Sequence, residues 1–284
     1  MTSKPEGVVV PLYEKREVLL STENVCLEFD GKPVLRDVNV MIQNVVRPDM
    51  EQGQVVCLLG PSGIGKTQLF RILSGLNAPT SGNVLVGTER KPVKRGEVGV
   101  VAQHYPLFRW RTVMGNMLVA AKQGGLEGKV AQEKVLDLLS RFNLADRKNA
   151  YPAQLSGGQR QRVAIAQQMI CSRHFLLMDE PFSGLDPLMK DEVCKLILQV
   201  SRMGEMNTII ITTHDISTSV IVADTIWTMG LEREPVKGEV VPGATIRGTY
   251  DLIERGLAWQ PEIRKLPHYA GMVQELEDRF LQLK

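Results

Sequence analysis

The spacing of hydrophobic residues along the chain predicts two kinds of strand before any other feature is considered. Over residues 25–29 and again over 38–42, apolar residues alternate with polar or small ones. That alternation predicts antiparallel strands with one face in water. From Val55 to Leu59, by contrast, every residue is apolar, which is typical of a parallel strand covered on both faces. The polar segment between them, residues 44–53, is predicted to be a loop.

Helical spacing of apolar residues begins after this strand and alternates with further strand patterns. Residues 175–178 and 208–213 predict buried strands, and shorter strands are predicted over 84–86 and 98–102. The helical segments lie at residues 69–76, 135–142, 163–170 and 189–200. Because strands and helices alternate, the chain is predicted to form an α/β fold with a parallel, nucleotide-binding sheet.

The later part of the chain predicts a helical insertion and a tail. The apolar period changes from two to nearly four, so a mostly helical subdomain is expected over about residues 104–155. Beyond residue 230 the pattern weakens, and two short amphipathic helices are predicted over 252–257 and 272–280. Residues 1–230 are therefore predicted to form the main domain, and residues 231–284 a C-terminal extension.

Composition and charge narrow the class of protein without identifying it. The 284 residues suffice for one large core and a subdomain, and 43% hydrophobic residues argue against a disordered chain. A net charge of +2 gives no sign of the basic surface that binds nucleic acid, so no nucleic-acid partner is expected.

The cysteines and the lengths of the apolar runs predict the cellular compartment of the chain. The four cysteines form no C-x-x-C pair and are predicted to be buried, reduced thiols of a cytosolic protein; they are Cys26, Cys57, Cys171 and Cys194. No apolar run approaches the ~18 residues that a membrane-spanning helix needs. The chain is therefore expected to be neither secreted nor membrane-spanning by itself.

A glycine-rich segment directly after the apolar strand matches the pattern G-x-x-x-x-G-K-[ST], which cradles a nucleoside triphosphate. Its glycines let backbone N–H groups converge on phosphate oxygens, Lys66 adds a charge for the β and γ phosphates, and the Thr67 hydroxyl can bind Mg²⁺. The alternative is an ordinary surface turn. The predicted nucleotide-binding residues here are Gly60, Pro61, Ser62, Gly63, Ile64, Gly65, Lys66, Thr67 and Gln68.

Two carboxylates, Asp179 and Glu180, follow the buried strand at 175–178. In an open α/β sheet the ligand crevice lies at the carboxyl ends of the strands. Asp179 is suited to the Mg²⁺ shell and Glu180 to polarising the attacking water. The alternative is that the pair only solvates a turn.

A second phosphate-facing element is predicted at Leu155-Ser156-Gly157-Gly158-Gln159. Ser156 could be only a helix N-cap. The pair Gly157-Gly158 favours a further role, because two glycines weaken a helix start yet permit close approach of the backbone to an anion. A second element is redundant for one nucleotide in one chain. We therefore expect two chains, arranged head to tail, to complete each other's ATP site.

Together these segments resemble the ATP-binding subunits of ABC transporters over most of residues 20–230. Residues 60–67 are similar to the Walker A loop, 175–180 to the Walker B strand and 155–159 to the family signature. The resemblance implies a P-loop NTPase (RecA-like) ABC nucleotide-binding domain with an antiparallel β subdomain and a helical subdomain. It implies ATP and Mg²⁺ as cofactors and ATP hydrolysis coupled to transport.

The resemblance also assigns roles to residues that spacing alone does not single out. His214 is similar to the switch histidine near the γ-phosphate, and Gln103 to the glutamine that senses Mg²⁺ and the attacking water. Phe29 matches the aromatic that stacks on adenine, although its alternation also suits a core residue. Residues 183–186 are similar to the loop that touches the opposite subunit, and Asp186 before Pro187 predicts a helix start.

The implied site therefore has three sets of residues. The catalytic set is Glu180, His214 and Gln103, and the Mg²⁺ set is Thr67, Gln103 and Asp179. Besides residues 60–68, the nucleotide is expected to contact Phe29, Asp179, Ser156, Gly158 and Gln159. The other histidines, His104, His174 and His268, lack any partner motif and are predicted to be structural or on the surface.

The implied partners are a second copy of the chain, separate transmembrane permease subunits and an external solute-binding protein, with the chain on the cytoplasmic face of the inner (plasma) membrane. Trp110, within residues 105–111, is the candidate permease contact; the alternative is packing onto its own helical subdomain. Residues 103–116 are most like the nitrate, taurine and aliphatic sulfonate importers, although Arg109 replaces a proline common there. A soluble ABC ATPase of a scaffold or cluster-assembly system is the other candidate.

Overall fold

One mixed β-sheet organises the chain. The computed structural model describes residues 12–47, 53–102, 105–171, 175–203, 208–234 and 238–283. Within these ranges eleven strands form a sheet in the order β6-β5-β1-β2-β11-β10-β4-β9-β8-β7, with β3 paired to β1. The strands are β1 (Glu14–Phe29), β2 (Lys32–Val38), β3 (Met41–Val46), β4 (Gln54–Leu59), β5 (Ser81–Val86), β6 (Lys91–Pro92), β7 (Val98–Val101), β8 (Phe175–Asp179), β9 (Thr208–Thr213), β10 (Thr225–Arg233) and β11 (Val240–Asp251).

The parallel half of the sheet confirms the predicted buried strands. Strands β10, β4, β9, β8 and β7 pair in parallel, and every residue of β4 and β9 is buried. Because parallel strands end at one edge, the residues after Leu59, Met178 and Thr213 lie along the same crevice. This edge positions the candidate site. A parallel half flanked by helices and joined to antiparallel strands agrees with the predicted α/β fold.

Helices cover the parallel half. They are α1 (Lys66–Leu73), α2 (Val113–Gln123), α3 (Gly128–Arg141), α4 (Gly157–Cys171), α5 (Pro187–Ser201), α6 (Ile216–Val222) and α7 (Pro267–Leu281). The predicted helix start at Asp186 is confirmed, since its carboxylate accepts from the N–H groups of Leu188 and Met189. Leu76, predicted on the first helix, instead lies beyond the end of α1 and is 40% exposed. None of the helices within the described ranges has the length and apolar character that a bilayer crossing requires.

The antiparallel half of the sheet differs from two sequence predictions. Residues 38–42 belong to two strands, because β2 ends at Val38 and β3 begins at Met41. The predicted loop from residue 44 is also wrong for its first residues, since β3 continues to Val46 and residues 48–52 lie outside the described chain. Asn44 is buried there and donates to Glu17 at 2.9 Å. A paired polar side chain thus interrupts the hydrophobic pattern without ending the strand.

The structure of the C-terminal part also differs from a sequence prediction. The helix predicted at 252–257 is absent, and these residues form turns in which the carboxylate of Asp251 accepts from Ile253 and Glu254 N–H groups. Leu252, Ile253 and Leu257 are all buried, so the apolar spacing here marks buried residues of the turns and not one face of a helix. The second predicted helix is confirmed as α7. Strand β10 continues past residue 230 and β11 joins β2, so the sheet extends beyond the predicted end of the main domain.

The cysteines depart in part from expectation. All four are free thiols, and Cys57 and Cys194 are buried as predicted. Cys26 and Cys171 are only partly buried. Burial raises the pKa of the Cys194 thiol to about 12, so this group stays protonated at neutral pH.

A buried carboxylate joins the strand that leads into the glycine-rich segment to the strand beside it. Asp224 is 4% exposed; its N–H donates to Val55 O at 2.8 Å and its carboxylate accepts from Val55 N at 2.7 Å. Burial raises its pKa from 3.8 to about 7, although the Val55 N–H and the charge of Arg47 act in the opposite direction. The folded chain therefore keeps a proton here that the unfolded chain releases.

We expect Asp224→Asn to remove a pH dependence from stability. Between pH 4 and 7 the folded wild type holds this proton and the unfolded chain does not. As the pH rises through this range, the Asp224 carboxyl therefore lowers the free energy of unfolding of the wild type by about 1.4 kcal/mol per pH unit. An asparagine side chain does not titrate, so the variant should lack that component. Urea unfolding at several pH values measures it, with Asp146→Asn, an exposed carboxylate, as control. Equal slopes for Asp224→Asn and wild type would contradict the assignment.

Candidate functional site

The glycine-rich segment connects β4 to α1 at the crevice edge. Gly65 precedes α1 with a left-handed φ of 107°, which a residue with a side chain rarely adopts. At Gly60 a Cβ atom would lie 2.7 Å from the carbonyl oxygen of Met229, so this position also excludes a side chain. The loop therefore folds closely enough for the N–H groups at the start of α1 to face an anion.

Lys66 is the buried cation of the site. The residue is 5% exposed, and its ammonium group donates to the carbonyl oxygens of Gly60 at 2.8 Å and Pro61 at 3.0 Å. It also lies 3.3 Å from Oε1 of Glu180. A buried ammonium needs such acceptors, because an unpaired charge away from water is very costly. Phosphate oxygens are acceptors of the same kind, carrying more charge.

Thr67 and Asp179 are neighbours across the crevice, as expected for two ligands of one cation. The Thr67 hydroxyl donates to Oδ2 of Asp179 at 3.4 Å, and the Thr212 hydroxyl donates to Oδ1 at 2.5 Å. Within the described ranges, no group of three or more His, Cys, Asp or Glu side chains could hold a metal. One hydroxyl and one carboxylate fit Mg²⁺, which is commonly held by one or two protein ligands together with substrate phosphates and water.

Glu180 bridges Lys66 to His214. Its Oε2 lies 2.8 Å from Nδ1 of His214, while its backbone N–H donates to Thr212 O at 3.0 Å. Glu180 has a φ of 49°, in the left-handed region that glutamate rarely occupies. Such strain is found where the surrounding structure forces a side chain into a functional position. Here it directs the carboxylate between a cation and an imidazole.

Asp215, the residue after His214, holds the end of β9 in place. Asp215 caps α6 by accepting from Thr218 N at 2.9 Å and forms an ion pair with Lys190. Burial alone would raise the pKa of Asp215, but the hydrogen bonds from Lys190 and Thr218 hold it below its ordinary value. The end of β9 is thereby anchored to α5.

Sequence reasoning did not identify Thr212 or Lys190 as part of this arrangement. The sequence does contain a signal for Thr212. Two threonines end a buried strand directly before His214, and buried hydroxyls there need hydrogen-bond partners. Lys190 had none, because an ordinary helix lysine gives no indication of which carboxylate it will meet.

The segment at 156–159 caps α4. The Ser156 hydroxyl accepts from Gln159 N at 3.2 Å, and Oε1 of Gln159 accepts from Ser156 N at 2.9 Å. The N-cap alternative is therefore realised in the isolated chain. Among the residues that the structure describes, a Cβ atom at Gly157 or Gly158 would meet nothing within 4 Å. Packing against this part of the chain thus gives no reason for glycine at either position.

The remaining predicted residues are partly described. Phe29 ends β1 and is 49% exposed, so the alternative that it is a core residue is wrong. Trp110 is 72% exposed and contacts Phe108 with ring centroids 5.4 Å apart, so it does not pack into the helical layer. Gln103, predicted for catalysis and Mg²⁺, lies outside the described residues. The same holds for His104 and His174, whereas His268 is partly buried in the first turn of α7.

The chain is similar in sequence to one protein family and to several known proteins. A family model described as "ABC transporter" matches residues 44–183. The sulfate/thiosulfate import ATP-binding protein CysA of Pseudomonas aeruginosa is 37% identical over 231 residues, covering 78% of this chain and 68% of the relative. The nitrate import ATP-binding protein NrtD of Synechocystis is 35% identical over 191 residues, covering 67% of this chain and 71% of that protein.

Other relatives are longer than the matching region. CysA 2 of Rhizobium meliloti is 37% identical over 215 residues, which cover 73% of this chain. The chain spans 56–60% of the length of this relative and of two further sulfate/thiosulfate import ATP-binding proteins. Among solved structures, CbiO1 from Clostridium perfringens, part of the ABC transporter complex CbiONQ, superposes with a TM-score of 0.70 at 25% identity, covering 93% of this chain and all of that one.

We expect Thr212→Val to destabilise the chain through the Asp179 carboxylate. Thr212 is 1% exposed, and valine keeps its shape but cannot donate to Asp179. Losing a hydrogen bond to a charged group costs about 1–3 kcal/mol. Thr212→Ser keeps the hydroxyl and is the matched control. Urea unfolding should rank the serine variant above the valine variant, and the opposite order would show that the hydroxyl contributes little.

Proposed function

The chain belongs to the ATP-binding family of ABC transporters, and we propose that it binds MgATP at residues 60–67 and hydrolyses it to power a membrane importer. One observation carries the proposal. The buried ammonium of Lys66, the carboxylate of Glu180 and the imidazole of His214 form one connected group beside the start of α1. A triphosphate entering there meets a cation, a helix N-terminus and a water-activating carboxylate together.

In the proposed reaction, the triphosphate replaces Glu180 as the anionic partner of Lys66. The two interactions compete, because Lys66 is almost fully buried and has few donors to spare. Released from Lys66, the Glu180 carboxylate can orient a water molecule. The water oxygen forms a bond to the γ-phosphorus while the bond to the ADP oxygen breaks, and Glu180 accepts the proton that the water loses.

The remaining groups stabilise charge. His214 would donate to a γ-phosphate oxygen, and its tautomer depends on the Nδ1 contact with Glu180. Thr67 and Asp179 would hold Mg²⁺, which neutralises charge on the β and γ phosphates. Gln103 and Phe29 keep their predicted roles at the metal and the adenine. Such positioning and charge compensation account for most of the catalysis in phosphoryl transfer.

We further propose that a second copy of the chain completes each site. No contact within the described part of the chain requires glycine at 157 or 158, as expected if these residues face an anion bound by a partner. Ser156, Gly158 and Gln159 of one chain would then contact the nucleotide of the other. Leu188, which follows the predicted partner-contacting residues 183–186, is 79% exposed and would be covered in such a dimer.

Separate permease subunits are the proposed target of the force. Trp110 lies on a loop held rigid by Asn116, a buried side chain that accepts from Phe108 N at 2.8 Å and donates to the carbonyls of Phe108, Arg111 and Thr112. A large aromatic displayed on a fixed loop between arginines is typical of an interface. The chain would then work at the cytoplasmic face of the inner (plasma) membrane.

The proposal for the class of transported solute comes from the names of the relatives. Those named here are described as sulfate, thiosulfate and nitrate import proteins. We propose import of a small oxyanion or sulfonate, delivered by an external solute-binding protein. No observation favours the scaffold or cluster-assembly ATPase.

We expect Glu180→Gln to separate binding from turnover. Glutamine keeps the shape of the side chain but cannot accept the proton, so phosphate release should fall by about 10²-fold or more. ATP binding should persist, and a closed dimer should accumulate. Phosphate release and sedimentation with ATP measure the two effects, with Glu192→Gln, an exposed carboxylate on α5, as control. Undiminished phosphate release would refute the role of Glu180.

Trp110→Ala is expected to uncouple transport. The side chain is 72% exposed and its ring packs against Phe108, so basal ATPase activity of the isolated chain should be unchanged. In the assembled transporter, reconstituted in vesicles, solute uptake should fall about tenfold or more, as for loss of an interface hot spot. Val130→Ala, another exposed apolar residue of the helical layer, is the control. Equal loss of ATPase activity and uptake would count against a docking role.

A further inference from the structure

Leu283, which follows α7, packs directly onto β10. It is 1% exposed, and its carbonyl oxygen accepts from Leu231 N at 3.0 Å. At Gly230 a Cβ atom would lie 2.7 Å from both Cβ and O of Leu283. The segment after α7 therefore rests on the backbone of β10 with no side chain between them, and glycine at 230 permits this approach.

The adjacent residue of β10 packs against the phosphate loop. Met229 is fully buried, and its carbonyl oxygen is the atom that a Cβ at Gly60 would meet at 2.7 Å. Its Cε lies 3.4 Å from the Cβ position of Gly65. One residue of the strand thus contacts both glycines that flank the loop.

These contacts place β10 between Leu283 and the phosphate loop. Leu283 contacts Gly230 and Leu231, Met229 is joined to Gly230 by a peptide bond, and Met229 contacts Gly60 and Gly65. Leu283 meets Gly230 and Leu231, and Met229 meets Gly60, through backbone atoms, and these three contacts lack a flexible side chain that could absorb a displacement. A shift at Leu283 therefore reaches the loop, because close-packed interiors transmit strain.

We propose that Leu283 is a positioning residue for the nucleotide phosphates and acts on the loop through Gly230 and Met229. This inference rests on the proposed function, since it requires ATP to bind at residues 60–67. Leu283 itself touches neither phosphate nor the reacting atoms. Its contribution is to hold Met229, and with it the loop backbone, at the separation that presents the N–H groups to the phosphates.

The test compares Leu283→Ala with Leu281→Ala. Both remove the same atoms from the same segment, but Leu281 is 77% exposed and Leu283 is buried. ATP affinity is measured by titration in the absence of Mg²⁺, well below the melting temperature of each variant. We expect Leu283→Ala to raise the Kd for ATP about fivefold or more, with one site per folded chain retained, because small misplacements of binding groups weaken binding strongly. Leu281→Ala should match wild type.

A structural role alone would give a different result. In that case Leu283→Ala would lower the melting temperature while the folded fraction bound ATP with the wild-type Kd, and the proposal would be wrong. If Leu283→Ala does not fold, Leu283→Val, which removes one methylene group, carries the same comparison with a smaller shift. If neither wild type nor Leu281→Ala binds ATP, the proposed function itself fails, whereas equal tight binding by all variants overturns only the role of Leu283.

Discussion

The compensation of one buried positive charge is the constraint around which this site is built. Lys66 is almost fully removed from water and is held by two loop carbonyls and by Glu180. Its charge must be matched by an anion at every stage, because an uncompensated buried ammonium is unstable. The strained backbone of Glu180 and its contact with His214 follow from holding a carboxylate at that place. A triphosphate that takes over Lys66 would free Glu180 for the water, so binding and activation are linked through one side chain.

The sequence was informative where local chemistry requires particular residues. Continuous apolar runs predicted β4 and β9, because a strand covered on both faces has no polar side. The glycine-rich segment predicted a loop at a sheet edge because only glycine fits the backbone at Gly60 and Gly65. The pair Asp179-Glu180 was found because it follows a buried strand. In each case the signal lies within about ten residues of the feature that it predicts.

The parts that could not be predicted depend on contacts between distant segments. From sequence alone Asn44 is predicted to lie in a loop. Only the structure shows that it donates a hydrogen bond to Glu17 on the neighbouring strand. Asp251 makes a turn whose apolar residues mimic a helix. Leu283 is an ordinary leucine in sequence. Its proposed role depends on its contact with Gly230, which lies about fifty residues earlier in the chain. The two glycines at 157 and 158 show the reverse case, a clear sequence signal for which the described residues of the single chain provide no contact.

The most direct test of the central claim, a nucleotide shared between two chains, is the dependence of ATP affinity on protein concentration. If each site needs residues from both chains, binding and association are thermodynamically linked, and the apparent Kd for ATP must fall as the chain concentration rises. Sedimentation of the same samples should show a species of twice the chain mass appearing with nucleotide. An ATP affinity that is independent of protein concentration, with a monomer at saturating ATP, would contradict the account.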